Sequence, residues 1–186
     1  KYLILKLGQE NNLQEIQRIS ERLEKLEDVD KSLLDVSRKW NNLINNLTVK
    51  TPDEELNILM NGWLIYQTIS CRIWGKSGFY QSGGANGFRD QLQDCLGMKY
   101  IDSSFLREQI LKCCRHQFVE GDVLHWWHDE TKKGVRTKFS DDLLWLPYVL
   151  SKYVEFTGDT EILDQRVPYV KSEELREDEV ERYTNV

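Results

Sequence analysis

The run Gly83-Gly84-Ala85-Asn86-Gly87-Phe88-Arg89-Asp90-Gln91-Leu92-Gln93-Asp94 holds a dense set of chemistry-bearing residue types. Its glycines let the backbone turn tightly and approach a ligand. Asp90 and Asp94, four apart, share one face of the helix that follows. Like charges at that spacing cost roughly 0.2–0.5 kcal/mol unless something pairs with them. With Arg89, read as lying just outside that helix, the two carboxylates suit the gripping of sugar hydroxyls. The plainer alternative is that Asp90 only caps the helix and Arg89 only pairs with it. Neither GxGxxG nor GxxxxGKS/T occurs, so a nucleotide site is excluded.

Two further stretches carry the same chemistry. Gly121-Asp122-Val123-Leu124-His125-Trp126-Trp127-His128 sets two tryptophans between two histidines on an expected loop. Such indole faces stack on the apolar faces of pyranose rings, or else they plug the end of a helical bundle. Gly134-Val135-Arg136-Thr137, followed by Ser140-Asp141-Asp142-Leu143-Leu144-Trp145, again puts carboxylates and a tryptophan at a helix entrance. Three helix entrances or loops with one chemistry predict one site ringed by loops. Arg89, Asp90, Asp94, Trp126, Trp127, Asp141 and Asp142 are its candidate substrate-binding residues.

The elements that must position them are mainly helical. Residues 2–7 read as one strand closed by Gly8, the one convincing strand in the chain. A lone strand has no ladder partner, so its partners are expected elsewhere. Apolar residues at helical spacing predict thin amphipathic helices over 13–26 and about 33–47. Thr51-Pro52-Asp53-Glu54 predicts an N-cap at Thr51 with a capping box to Glu54. The helix it opens, over 52–74, is apolar around most of its circumference and is expected to be buried on several sides. A glycine-rich loop over 75–87 follows. A second capping box, Asp90 with Gln93, opens a helix to about Tyr100, and another helix spans 104–118. Residues 120–139 read as a polar-aromatic loop, with a hairpin at Lys133-Gly134. Ser140 or Asp141 caps a helix to about Thr157, whose first turns Pro147 disturbs. A short helix covers 159–163, and the charged tail 171–186 reads as helical or disordered.

Composition sets the outer limits. Of 186 residues, Asp+Glu number 31 and Lys+Arg 25, giving a formal net charge of −6. Without a basic block, that acidity argues against a nucleic-acid footprint. No apolar run approaches the roughly 18 residues of a membrane helix. Cys71, Cys95, Cys113 and Cys114 all sit in apolar helical patterns and read as buried, reduced thiols of a cytoplasmic protein. No CxxC spacing supports a zinc site with His116, His125 and His128, so no metal is expected. The chain lacks an initiator Met and is expected to be cut from something longer.

Together, NGWLIYQTISCRIWGKSGFYQSGGANGFRDQLQD, HQFVEGDVLHWWHDETKKGVRT and SDDLLWLPYVLSKYVEFTGDTEIL resemble the catalytic domain of glycoside hydrolase family 94. These are inverting glycoside phosphorylases, once classed as glycosyltransferase family 36. The order and spacing fit over most of 48–186. The wording is most similar to cyclic β-1,2-glucan synthases and β-1,2-oligoglucan phosphorylases. The resemblance implies a β-sandwich, a helical linker and an (α/α)6 barrel. On that map 1–47 is the last sandwich strand plus the linker, and 48–186 is the first part of the barrel. Twelve such helices need on the order of 200 or more residues, so a fragment is expected.

The implied reaction is phosphorolysis of β-glucan oligosaccharides. Inorganic phosphate attacks the anomeric carbon while one carboxylic acid protonates the leaving oxygen, giving an α-sugar 1-phosphate. The oligosaccharide, phosphate and the remainder of the parent chain are the implied partners, with no metal or organic cofactor; a homodimer stays open. By resemblance, Arg89, Asp90 and Asp94 belong to the subsite of the transferred sugar. The family's general acid lies in an Asp-Trp-Asn-Asp motif that does not occur here, so no catalytic residue is assigned. It is expected downstream of Val186, and the chain alone is expected to be inactive. A non-catalytic carbohydrate-binding module is the rival reading. An inverting hydrolase using Asp90 or Asp94 with Asp141 would need carboxylates about 6.5–9.5 Å apart.

Overall fold

The structure, a computed structural model, describes residues 2–10, 12–78 and 83–185. The chain divides into two compact units, 1–45 and 46–186.

In the first unit, apolar residues at helical spacing form α1 (Leu13–Glu21) and α2 (Leu26–Ile44). Asn12 starts α1 by accepting the Glu15 N–H at 2.8 Å. Asp28 accepts the Lys25 N–H at 3.2 Å, so α2 begins at Leu26 and not near Leu33. The strand expected over 2–7 is absent. Leu3, Leu5 and Leu7 are exposed, and no ladder among the described residues reaches them.

The second unit opens with one helical run: α3 (Glu54–Ile58), a π-helical segment Leu59–Trp63, α4 (Leu64–Gln67) and a second π-helical segment Thr68–Trp74. Its N-cap is Asp53, which accepts the Leu56 N–H at 3.0 Å. Thr51, the expected cap, instead donates its hydroxyl to Asn57 Oδ1 at 3.0 Å. Burial on several sides is also corrected. Ile65 and Ile69 are buried, while Ile58 is 72% exposed and Trp63 54%.

The core is built by α5 (Phe88–Leu96), α6 (Ser103–Cys114) and α7 (Asp142–Thr157). In α5, Phe88, Leu92 and Cys95 point inward with Gln91; in α6, Leu106, Ile110 and Cys113 do so with Gln109. Those sets recur at i, i+3, i+4 and i+7, one helical face. Each large apolar side chain buried there contributes about 1.5–3 kcal/mol. In α7, Leu146, Val149 and Tyr153 complete the layer, and the helix continues through Pro147 to a left-handed C-cap at Gly158, φ 72°. The short helix expected at 159–163 is a 3-10 turn, Glu161–Asp164. Cys95 and Cys113 are buried, and burial pushes the Cys95 thiol up to about 12. Cys71, expected to be buried, is exposed.

A four-stranded antiparallel sheet replaces much of the expected loop and tail. β1 (Asn86–Gly87), β2 (Leu124–His128), β3 (Lys133–Thr137) and β4 (Glu181–Asn185) lie in that order. Trp126 pairs with Val135 and Leu124 with Arg136, which leaves His125 as the extra residue of a β-bulge. The bulge restarts the alternation, so that Leu124 and Trp127, three apart, are both fully buried. The tail is neither helical nor disordered at 181–185; β4 runs from Lys133↔Asn185 to Thr137↔Glu181 along β3. Arg136, only 2% exposed, ties the sheet to neighbouring loops. It donates to Asp122 at 2.6 and 2.7 Å and to Glu120 at 3.0 Å, and lies 3.9 Å over the Phe118 ring.

Candidate functional site

The β1–α5 junction and the bulged strand β2 flank an open cavity of about 270 Å³ lined by Gly83, Ala85, Gly87, Asp90, His125, Trp126 and His128. One wall follows from local pairing: Asn86 lies opposite Trp127 and Gly87 opposite Trp126, so the chain leaves the sheet directly into α5. The helix therefore starts at Phe88 and not at an Asp90–Gln93 capping box. Gln91 accepts the Gly87 N–H in place of a cap side chain. Arg89 consequently lies inside α5, and Asp90 in its first turn faces the cavity. A Cβ at Gly87 would come within 2.6 Å of Asp90 Oδ2, so this glycine makes room for the carboxylate.

The other wall is the exposed side of β2. Trp126 packs edge-on to His128, with centroids 5.6 Å apart. His125 lines the cavity, and its Nδ1 sits 2.6 Å from Asp142 Oδ2. Asp142 is 2% exposed in the first turn of α7. The hydrogen bond to this carboxylate raises the imidazole pKa, against the opposing effect of burial.

The seven expected residues thus fall into distinct groups. Asp90 and Trp126 line the cavity. Asp142 lies behind it, acting on His125. Arg89 and Asp141 pair with each other at 2.7 Å on the surface, joining α5 to the cap position of α7. That hydrogen bond lowers the Asp141 pKa and explains why the carboxylate makes no capping bond of its own. Asp94 is taken by Arg72 at 2.7 Å, and burial raises its pKa despite that partner.

Trp127 is the clearest departure. Expected to present its face to a sugar, it is fully buried, stacked on His116 at 3.9 Å and 16°, with Phe88 edge-on at 6.5 Å. Its Nε1 donates to Asp129 at 3.0 Å. His116 holds its Nδ1 2.7 Å from the Lys112 carbonyl, and burial lowers its pKa. The residues not singled out were His125, His128 and Asp129. The first two flank the tryptophan pair in the sequence; His128 shares a side with Trp126 by the two-residue alternation of a strand, and His125 joins them through the bulge. Among the described residues, no three His, Cys, Asp or Glu side chains converge as a metal site.

Comparison with known proteins places the chain. The sequence profile of the Glycosyl hydrolase 94 superfamily catalytic domain matches residues 39–183. The chain belongs to that superfamily. Within it, this member is 40% identical to the cyclic beta-(1,2)-glucan synthase NdvB of Rhizobium meliloti over 92% of its own length and 6% of that protein's. It is 27% identical to an N,N'-diacetylchitobiose phosphorylase of Vibrio proteolyticus, covering 89% of the chain and 24% of the relative. With a solabiose phosphorylase of Paenibacillus borealis it shares 26% identity over 69% of the chain and 15% of the relative. The chain therefore spans less than a quarter of the length of these relatives. No helix among the described residues of this superfamily member is long and apolar enough to cross a membrane.

Proposed function

We propose that this protein is a portion of an inverting glycoside phosphorylase and that the β1–α5 cavity holds the glucosyl unit being transferred. The observation that carries the reading is that Asp90, Trp126, His125 and His128 line one cavity of a chain from this superfamily. A carboxylate can accept two sugar hydroxyls, an indole face covers the apolar side of a pyranose, and imidazoles donate or accept as needed. Asp142 sets the orientation of His125. Arg89 joins the first turn of α5 to Asp141 at the cap position of α7.

In this reading, residues 48–186 form the first part of an (α/α)6 barrel, and the two helices within 1–47 are the linker before it. The barrel's remainder supplies the general acid and the phosphate-binding groups. Inorganic phosphate is the co-substrate and displaces the leaving sugar with inversion, giving α-glucose 1-phosphate. No metal or organic cofactor takes part, and the cytoplasm is the compartment. β-1,2-Linked glucooligosaccharides are the proposed substrates. The support is the 40% identity to a cyclic beta-(1,2)-glucan synthase against 27% to a chitobiose phosphorylase.

The test is phosphate-dependent release of α-glucose 1-phosphate by the protein carrying its native flanking sequence, from β-1,2-, β-1,3- and β-1,4-linked glucooligosaccharides. Release from the β-1,2 series is expected, and none from the isolated residues 1–186. Release from another series alone overturns the linkage. Activity of 1–186 alone overturns the divided site.

A further inference from the structure

One carboxylate that none of the sugar-binding argument uses collects four donors from four parts of the chain. Asp129 opens the turn between β2 and β3. Its Oδ1 accepts from Trp127 Nε1 at 3.0 Å. Its Oδ2 accepts from Lys112 Nζ in α6 at 2.7 Å, from Asn86 Nδ2 in β1 at 3.1 Å and from Lys76 Nζ at 3.2 Å. Lys76 and Asn86 stand near the two ends of the glycine-rich segment, at its exit from the long helical run and at its entry into β1. Asn86 is 1% exposed, and its amide also reaches the Trp127 carbonyl at 3.4 Å.

We propose that Asp129 is a positioning residue that clasps both ends of the glycine-rich segment against β2 and so sets the width of the sugar cavity. The inference rests on the function proposed above. Ala85 and Gly87, which line one cavity wall, flank Asn86, and Trp126 and His128 of the opposite wall flank Trp127. Asp129 therefore holds each wall one residue away from the surface a sugar would touch. Burial opposes ionisation of Asp129, but the hydrogen bonds and charge of Lys112, with Asn86 and Lys76, hold its carboxyl well below the usual range. Replacing one oxygen by an amide NH₂ would turn a donor toward donors and leave two ammonium groups without their shared counter-charge.

The test is Asp129→Asn in the protein with its native flanking sequence, read in two ways. Without sugar, amide exchange over residues 83–90 is expected to speed up while exchange in α7 stays unchanged. In phosphorolysis, KM for the oligosaccharide is expected to rise about tenfold, a change within reach of hydrogen bonds to a charged partner. kcat should change much less, and Asp129→Glu should recover part of the loss. Lys76→Met, which removes one donor and leaves the carboxylate, should give a smaller effect of the same kind, and it decides the matter if Asp129→Asn fails to fold. Unchanged exchange over 83–90 in folded variants overturns the clasp. If the unaltered protein neither binds nor cleaves any β-glucan, the function proposed above fails, and the exchange measurement still decides whether the clasp exists.

Discussion

His125 Nδ1 lies 2.6 Å from Asp142 Oδ2, joining the bulge of β2 to the first turn of α7. The hydrogen bond raises the folded-state pKa of His125 above its ordinary value. A raised pKa means the pair's stabilisation is full below the unfolded value of about 6.5 and fades as pH rises through the folded value. NMR titration should therefore place the His125 midpoint above about 6.5, and Asp142→Asn should lower it. The same variant should cost more stability at acidic than at alkaline pH. An unshifted midpoint, or an equal cost at both, contradicts the pairing.

The pairs Arg72–Asp94 and Arg89–Asp141 should behave differently. Arg72 and Asp94 are partly buried, with side chains 25% and 27% exposed. Removing Arg72 would leave a carboxylate whose pKa burial already raises. Arg72→Ala should cost about 1–3 kcal/mol in denaturant unfolding and raise the Asp94 pKa further. Arg89→Ala, at a surface pair, should barely alter stability, because exposed pairs are screened by water and salt. An equal loss at the two positions would sink this distinction.

Gly134 faces Trp127 across the β2–β3 ladder. A Cβ there would meet the Trp126 carbonyl at 2.7 Å and Trp127 Cβ at 2.8 Å, both on a paired strand with little room to yield. Gly134→Ala should destabilise the protein by about 1–3 kcal/mol, the usual range for overpacking. Denaturant midpoints for the two forms check it. A change inside about 0.5 kcal/mol, as for a neutral surface site, would show the hairpin relaxes freely.

The helices were legible because their burial follows local spacing. Phe88, Gln91, Leu92 and Cys95 need only the 3.6-residue period to be read as one face. The sheet was not. In Leu124-His125-Trp126-Trp127-His128 the bulge at His125 breaks the two-residue alternation by which a strand is recognised. β4 hides among charged residues, as solvent-facing edge strands do. Adjacent positions of a strand point to opposite faces, so Trp126 faces the cavity and Trp127 fills the core, a difference that a loop reading of the stretch hides. The misplaced cap at Asp90 has a nonlocal cause too, since the pairing of Asn86 and Gly87 with β2 fixes where α5 begins. What the sequence did carry about the site was its residue types and their family wording. Which carboxylate reaches the cavity depends on partners such as Arg72, 22 positions from Asp94.

Asp90 is proposed to grip the sugar that is transferred. Its most direct test is the phosphate-dependent release of α-glucose 1-phosphate from β-1,2-glucooligosaccharides by the protein with its native flanking sequence, compared with Asp90→Asn. kcat/KM is expected to fall by roughly 10- to 100-fold, the worth of a hydrogen bond to a charged group, with the unfolding midpoint unchanged. A folded Asp90→Asn that retains full kcat/KM would contradict it.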